Sequence, residues 1–317
     1  MSRNTGVSVF VLALLAAGLG WLSAAPAKAQ GGGTTADAAQ WRQELSAWRA
    51  QRGQEISAPD GWLTLAGMEW LKTGINSVGG AADNHIQLHG QAPDHLGLLT
   101  VSGKTVQLLS PSGGFPADLL VDGKPAREGL LTAGVSKSST IGWHGMTLVV
   151  LERGGRYALR IKDANSATRT GFHGLNWYEP NPHFRVTALW IPFTPPHIEK
   201  IPTVIGTMLE LPAPGIAEFT LDGETLRLEP VIEAGAPNTL FFILRDTTSK
   251  TTTYQAARFL HTGLPDHSLS QPGLLTLDFN RLENPPCAYT PYAICPLPPD
   301  QNRLPVALEA GEQRYGH

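Results

Sequence analysis

Cysteine is almost missing from this chain: its 317 residues contain two, Cys287 and Cys295. Charge is sparse too, at 16% Asp, Glu, Lys and Arg, and neither sign dominates, with 24 basic residues against 27 acidic. That balance argues against nucleic-acid binding, which usually demands a basic patch, and it gives no reason for adhesion to anionic lipid. Beyond the N-terminal segment no apolar run is long enough to span a bilayer. Signatures of catalysis are missing as well: no His-Glu-x-x-His, no Walker A, no Ser-x-x-Lys, and no Gly-x-Ser-x-Gly elbow. Gly134-Val-Ser136-Lys-Ser138 fails the elbow at its last position. The ten histidines are scattered, without the close helical pairing that a metal site prefers, although His144, His183 and His197 can still meet in space. Neither cofactor nor metal is expected.

The chain begins MSRNTGVSVFVLALLAAGLGWLSAAPAKAQ. Arg3, the apolar run Val7 to Ala25 and the small residues of Ala27-Lys28-Ala29 form the pattern of a secretory signal peptide cut after Ala29. The expectation is a periplasmic or secreted protein with no membrane insertion after cleavage. Export sets the reading of the cysteines, because an isolated pair in an oxidising compartment is by default a disulfide. Two sulfurs alone are too few ligands for a metal.

Gly and Pro together make 59 residues, spread along the chain, which signals many turns between short elements and hence a mostly β fold. Four segments are expected: residues 1–29 as signal peptide, 30–60 as linker and helix, 61–163 as a β-sandwich, and 164–317 as a second β-sandwich or barrel-like region with a proline-rich C-terminal loop. The helix is ADAAQWRQELSAWRAQRGQEI, capped by Asp37 and ended by Gly53, with Trp41, Leu45 and Trp48 on one face. Strand-like pieces follow from INSVGG to RYALRIKD, and Val121-Asp122-Gly123-Lys124, Glu152 to Arg156 and Leu221-Asp222-Gly223-Glu224 are hairpin signals. TLFFIL, apolar on both faces, reads as a buried strand that delivers Arg245 and Asp246 at its end, either as site residues or as a local ion pair.

The order NSVGGAADNHIQL, APDHLGLLTVSGKTVQLL, LLVDGKPA resembles a forkhead-associated β-sandwich as a scaffold. The phosphothreonine readers of that family carry an Arg after the first glycine, a Ser shortly before a His, and an Asn-Gly turn. Here Gly80 holds the first place, Pro93-Asp94 precede His95, and the turn is Asp122-Gly123, so phosphopeptide binding does not carry over. A second resemblance spans nearly all of the mature chain. RDTTSKTTTYQAARFL and LDFNRLENPPCAYTPYAICPLPPDQNRLPVALEAGEQRY, with the earlier GWLTLAGMEWLKTGINSVGG and GFHGLNWYEPNPHFRV, resemble the bacterial family catalogued as domain of unknown function 1684. The resemblance points to Asp278, Asn280, Arg281, Asn284, Pro285, Cys287, Tyr289, Cys295, Pro296 and Asn302 as motif positions. The chain departs from the family pattern near Gln255-Ala256, where a Gly is usual, and near Leu282-Glu283, where Ala-Tyr is usual.

Asp278 and Asn280, two apart on a strand-like run, would share a face and either orient a polar ligand or tie down the proline-rich loop. Arg281, Asn284 and Asn302 are natural donors to the carbonyls of that loop. Arg169, Arg185, Arg245 and Arg258 would make an anion pocket if they converged, with Trp177 and Tyr289 as its aromatic walls. Three functions follow. The first is an exported protein that binds a small polar or anionic ligand through Arg169, Trp177, Arg185, Arg245, Arg258, Asp278, Asn280, Arg281, Tyr289 and Asn302. The second is an envelope or extracellular hydrolase with Asp278 and His173 as acid–base pair. The third is a structural envelope protein without a small ligand.

Overall fold

The computed structural model describes residues 35–134 and 137–316. The expected signal segment and most of the linker lie outside the described residues. The helix α1 (Thr35–Ser57) starts two residues before Asp37, which therefore sits in its first turn and does not cap it. The chain divides inside α1, after Gln40, and Trp41 to the C-terminus form one compact unit that contains both β-rich regions. Gly53 does not end the helix. A glycine there costs about 1 kcal/mol relative to alanine, but the turn around it is anchored: Arg52 Nη2 donates to the carbonyl of Asn284 at 2.9 Å, and Ile56 is fully buried. Trp41 and Leu45 are buried, so the expected apolar face is present. Among the described residues no helix is long and apolar enough to cross a membrane.

The protein is mostly β, and none of its sheets closes into a barrel. The first region holds β1 (Leu65–Trp70), β2 (Gly74–Gly79), β3 (Ile86–Gln87), β4 (Gly97–Ser102), β5 (Thr105–Leu109), β6 (Leu120–Val121), β7 (Lys124–Pro125), β8 (Gly129–Leu131), β9 (Thr140–Trp143), β10 (Met146–Arg153) and β11 (Arg156–Asp163). They form a six-stranded sheet, β1-β11-β10-β9-β6-β7, and a five-stranded sheet, β3-β2-β4-β5-β8. Val78, Leu99 and Val106 from one sheet and Ile141, Val150 and Leu159 from the other share a single core. Alternate residues of each strand point into it, as a sandwich requires. The turns are the expected ones: Asp122 and Gly123 have φ of 50° and 75°, and Gly154 and Gly155 have 58° and 77°, the left-handed pairs that a tight hairpin needs.

The second region holds β12 (Arg185–Pro202), β13 (Met208–Leu221), β14 (Glu224–Leu228), β15 (Leu240–Leu244), β16 (Arg258–Thr262) and β17 (Gly273–Asp278). Four of them form the sheet β14-β13-β12-β17, and β15 pairs with β16 alone. Within the expected run TLFFIL, Leu240–Leu244 form β15 and are buried at every position. Period-2 alternation explains why. Leu240, Phe242, Leu244 and Leu260 face a core shared with Trp190, Phe219 and Phe279. Phe241, Ile243 and Phe259 face a different core, which includes Leu65 from the first region together with Ile201 and Cys295. The β15–β16 hairpin is thus a partition between two cores, and its outer end becomes the wall of a cavity.

β17 stops at Asp278, and residues 279–281 form a 3-10 turn, so Asp278 and Asn280 do not meet as alternate residues of a strand. They meet through the cap instead. Asp278 Oδ1 accepts from the Asn280 backbone N–H at 3.1 Å and from Asn280 Nδ2 at 3.0 Å.

Candidate functional site

The sequence-predicted site residues do not gather in one place. Arg258 is fully buried; it forms an ion pair of 3.0 Å with Asp246 and donates to the carbonyls of Leu308, Ala310 and Glu312. Its guanidinium is committed inside the fold. Arg169 donates to the carbonyls of Ser57 and Ala164, and Arg245 Nε donates to Ser249 Oγ at 2.9 Å. The expected pairing of Arg245 with Asp246 is absent. Asp246 caps the following 3-10 turn by accepting from the Thr248 N–H. The four arginines therefore make no common anion pocket.

The asparagines do pin loops. Asn280 Oδ1 accepts from the Asn181 N–H at 2.9 Å, and its Nδ2 donates to the Asn181 carbonyl at 2.8 Å. Asn302 holds Glu229 in the same two-pronged way, at 2.8 and 2.9 Å, and also reaches the Ile243 carbonyl. Trp177 packs edge-on against Trp48, with ring centroids 5.4 Å apart, and carries the Arg49 guanidinium over its face. Tyr289 is buried, and its hydroxyl donates to Glu312.

The expected disulfide is also absent: Cys287 and Cys295 are free thiols. They remain neighbours, because the Cys287 N–H donates to Cys295 Sγ at 3.1 Å. Hydrogen bonding from the Cys295 thiol holds the Cys287 thiol below its ordinary value and pushes the Cys295 thiol up.

Of the predicted residues, Arg185, Asp278 and Arg281 do line one recess, of about 270 Å³, together with Trp41 and His261. Trp41 Nε1 donates to Asp278 Oδ2 at 2.7 Å, which ties α1 to the end of β17. His173 is not in this recess; it is exposed and makes no contact with Asp278, so the Asp278–His173 pair is not assembled.

The larger cavity, about 640 Å³, lies on the other side of His261. Phe241 and Phe259 form its apolar wall, and Trp62, Leu209 and Leu211 continue it. Its polar groups are Arg52, Arg153, His261, Glu152, Glu233 and Glu283, three cations against three carboxylates, together with Asn284. Arg52 Nε lies 3.2 Å from Glu283 and 3.7 Å from Glu312. Asn284 is almost fully buried and donates to Glu312 and to the Gln313 carbonyl, yet its Oδ1 accepts nothing.

His261 stacks flat on Phe241, with centroids 4.5 Å apart, between Glu233 and Glu283 at 3.6 Å each. Partial burial opposes its charge, but hydrogen bonding with the two carboxylates outweighs it and lifts the imidazole pKa to about 9. The ring is therefore an imidazolium at neutral pH. A group with a raised folded pKa adds stability that is fully present below the unfolded value, about 6.5, and is lost as pH rises through about 9. The side chain is 38% exposed, so solvent screening keeps the effect modest. Nuclear magnetic resonance titration of the ring should give a midpoint near 9, falling toward the ordinary value in Glu283→Gln. A midpoint near 6.5 in the unsubstituted chain would show that the carboxylates do not hold the proton.

Sequence reasoning passed over this cavity. Phe259 and His261 sit within three residues of Arg258, but period-2 alternation sends them to the opposite face of β16. Glu233 follows β14 in a loop without a motif.

A mostly β body, with a partly enclosed cavity at the end of a two-faced hairpin, is the class of protein these features define. Residues 170–313 match the family described as "Protein of unknown function (DUF1684)", and the chain belongs to that family. It is 33% identical to an uncharacterized protein of Haloarcula marismortui with a known solution structure. That match covers 46% of this chain and 78% of the other, at a TM-score of 0.39. No curated protein matches. Most of the larger cavity's lining falls inside the family segment, whereas Arg52, Trp62, Glu152, Arg153 and Gly154 precede it.

Proposed function

We propose that this chain is a binding protein for a small, partly apolar molecule with a polar head, held in the 640 Å³ cavity. The observation that carries the reading is the composition of its wall: two phenylalanines beside a cationic His261, and a buried Asn284 acceptor without a donor. An apolar cavity with a few convergent polar groups is the usual form of a small-molecule site. Its charges balance, which favours a neutral or zwitterionic head over a strongly anionic one. A donor on that head would satisfy Asn284 Oδ1. Hydrolysis is the weaker reading: an imidazolium clamped by two carboxylates cannot accept a proton at neutral pH. The signal-like pattern of residues 1–29 supports placing this binding in the periplasm or outside the cell.

Native mass spectrometry of the chain purified from its own host should show a retained small molecule of several hundred daltons or less. Leu209→Trp, which fills the cavity from its apolar wall, should remove it. An unaltered apo mass, together with no compound in a fragment screen whose binding Leu209→Trp blocks, would end the proposal. Retention that survives Leu209→Trp would place the ligand elsewhere. The mature mass in the same spectrum reads the cut after Ala29.

A further inference from the structure

Away from the cavity, β12 carries the sequence Ile191-Pro-Phe-Thr-Pro-Pro-His197-Ile-Glu199. Its pairing with β13 breaks between Pro192 and His197, because prolines cannot donate to the ladder. Such a break re-aims the side chains that follow it. His197 and Glu199, two apart once pairing resumes, emerge on one face. Glu229, directly after β14, meets them there, and the ligating atoms of all three lie within 4.8 Å of one another.

The three groups are arranged as one proton cannot explain. His197 Nε2 lies 2.8 Å from Glu229 Oε1 and 3.3 Å from Glu199 Oε2. A single N–H serves one of these oxygens well, not both. Glu229 Oε1, the nearer of the two, is a buried atom on a side chain only 10% exposed, and it faces His197 Nε2 directly. The outer oxygens are already tied, since Gln301 Nε2 donates to Glu199 Oε1 and to Glu229 Oε2, both at 3.3 Å. Glu229 is fixed from behind by the two hydrogen bonds of buried Asn302 to its backbone. One imidazole nitrogen and two carboxylate oxygens, held by supporting hydrogen bonds, form the donor set of a borderline divalent cation. Tetrahedral Zn²⁺ with bonds of about 2.0–2.1 Å spaces its ligand atoms by roughly 3.3 Å, close to the 2.8 and 3.3 Å from His197 Nε2 to the two carboxylates.

We propose that His197, Glu199 and Glu229 form a binding site for one divalent transition-metal ion, Zn²⁺ or a similar cation, with a fourth position open to solvent. Two carboxylates and a neutral imidazole bring the charge of such a complex to zero. The ion would clip β12 to the segment after β14, 30 residues on from Glu199.

Calorimetric titration of the full chain with zinc chloride, with native mass spectrometry for stoichiometry, tests the site. One ion per chain is expected. Affinity should fall at least tenfold, about the loss that disturbing a metal's supporting shell already brings, in His197→Ala and in Glu229→Gln. His197 is 44% exposed and the glutamine is isosteric, so both variants should fold. The double variant Cys287→Ser/Cys295→Ser controls for the free thiols and should bind unchanged. Cobalt should give visible bands without thiolate charge transfer. No binding, binding unaffected by either site variant, or binding lost in the cysteine variant would each overturn the site.

Discussion

Asp246→Ala should destabilise the fold by about 3–5 kcal/mol, the cost of removing one partner of a buried ion pair. Arg258 and Asp246 have side-chain exposures of 1% and 0%, so no water replaces the lost carboxylate. The carboxylate also accepts from the N–H groups of Thr248 and Leu308, and these lose their acceptor at the same time. Arg258→Met should cost a similar amount, because the carbonyls of Leu308 and Ala310 lose their donor. The double variant should cost clearly less than the two singles added, since the partners act as one unit. Urea denaturation of all four chains measures this. A loss below about 1 kcal/mol for Asp246→Ala would show that the pair is hydrated and not a core element.

That pair marks where the sequence ceases to be legible. Arg258 stands in a block of polar residues beside Asp246 and Arg245, and its charge invites a ligand. Only the fold shows that β16 turns it inward against a carboxylate from the end of β15. The hairpins could be read because their determinants are local. Asp122-Gly123 and Asp222-Gly223 adopt the positive φ that their types allow. TLFFIL could be read as buried, but not as a partition between two cores, because each core is assembled from distant segments. The same limit hid the cavity. Arg52 comes from α1, Arg153 from a hairpin turn of the first region, and Phe241 and Glu283 from the second. Asp278 and Asn280 do not share the expected strand face: β17 ends at Asp278, and a 3-10 cap turns the two side chains onto each other.

The polar residues of the C-terminal segment work mostly as fasteners, and Glu312 is the most demanding of them. Its carboxylate is fully buried and accepts from the Tyr289 hydroxyl, from the Asn284 N–H at 3.1 Å and from Asn284 Nδ2 at 2.9 Å, with Arg52 at 3.7 Å. Glu312→Ala strands these donors in the interior and should cost about 3–5 kcal/mol. Glu312→Gln keeps one carbonyl acceptor but points an amide at two other donors, so it should fall between. Burial pushes the Glu312 carboxyl above the ordinary range, against the pull of Arg52. The folded state then binds this proton more readily than the unfolded one, and stability from this group falls as pH rises from about 4.3. Glu312→Gln should lack that slope; an identical slope in the variant would assign it to other carboxylates. Arg52 and Asn284 line the larger cavity, so loosening Glu312 also loosens its polar end. A molecule retained there should be lost from Glu312→Ala at temperatures where the variant is still folded. Retention unchanged in the folded variant would mean that the apolar wall alone holds the ligand and that the Asn284 acceptor takes no part.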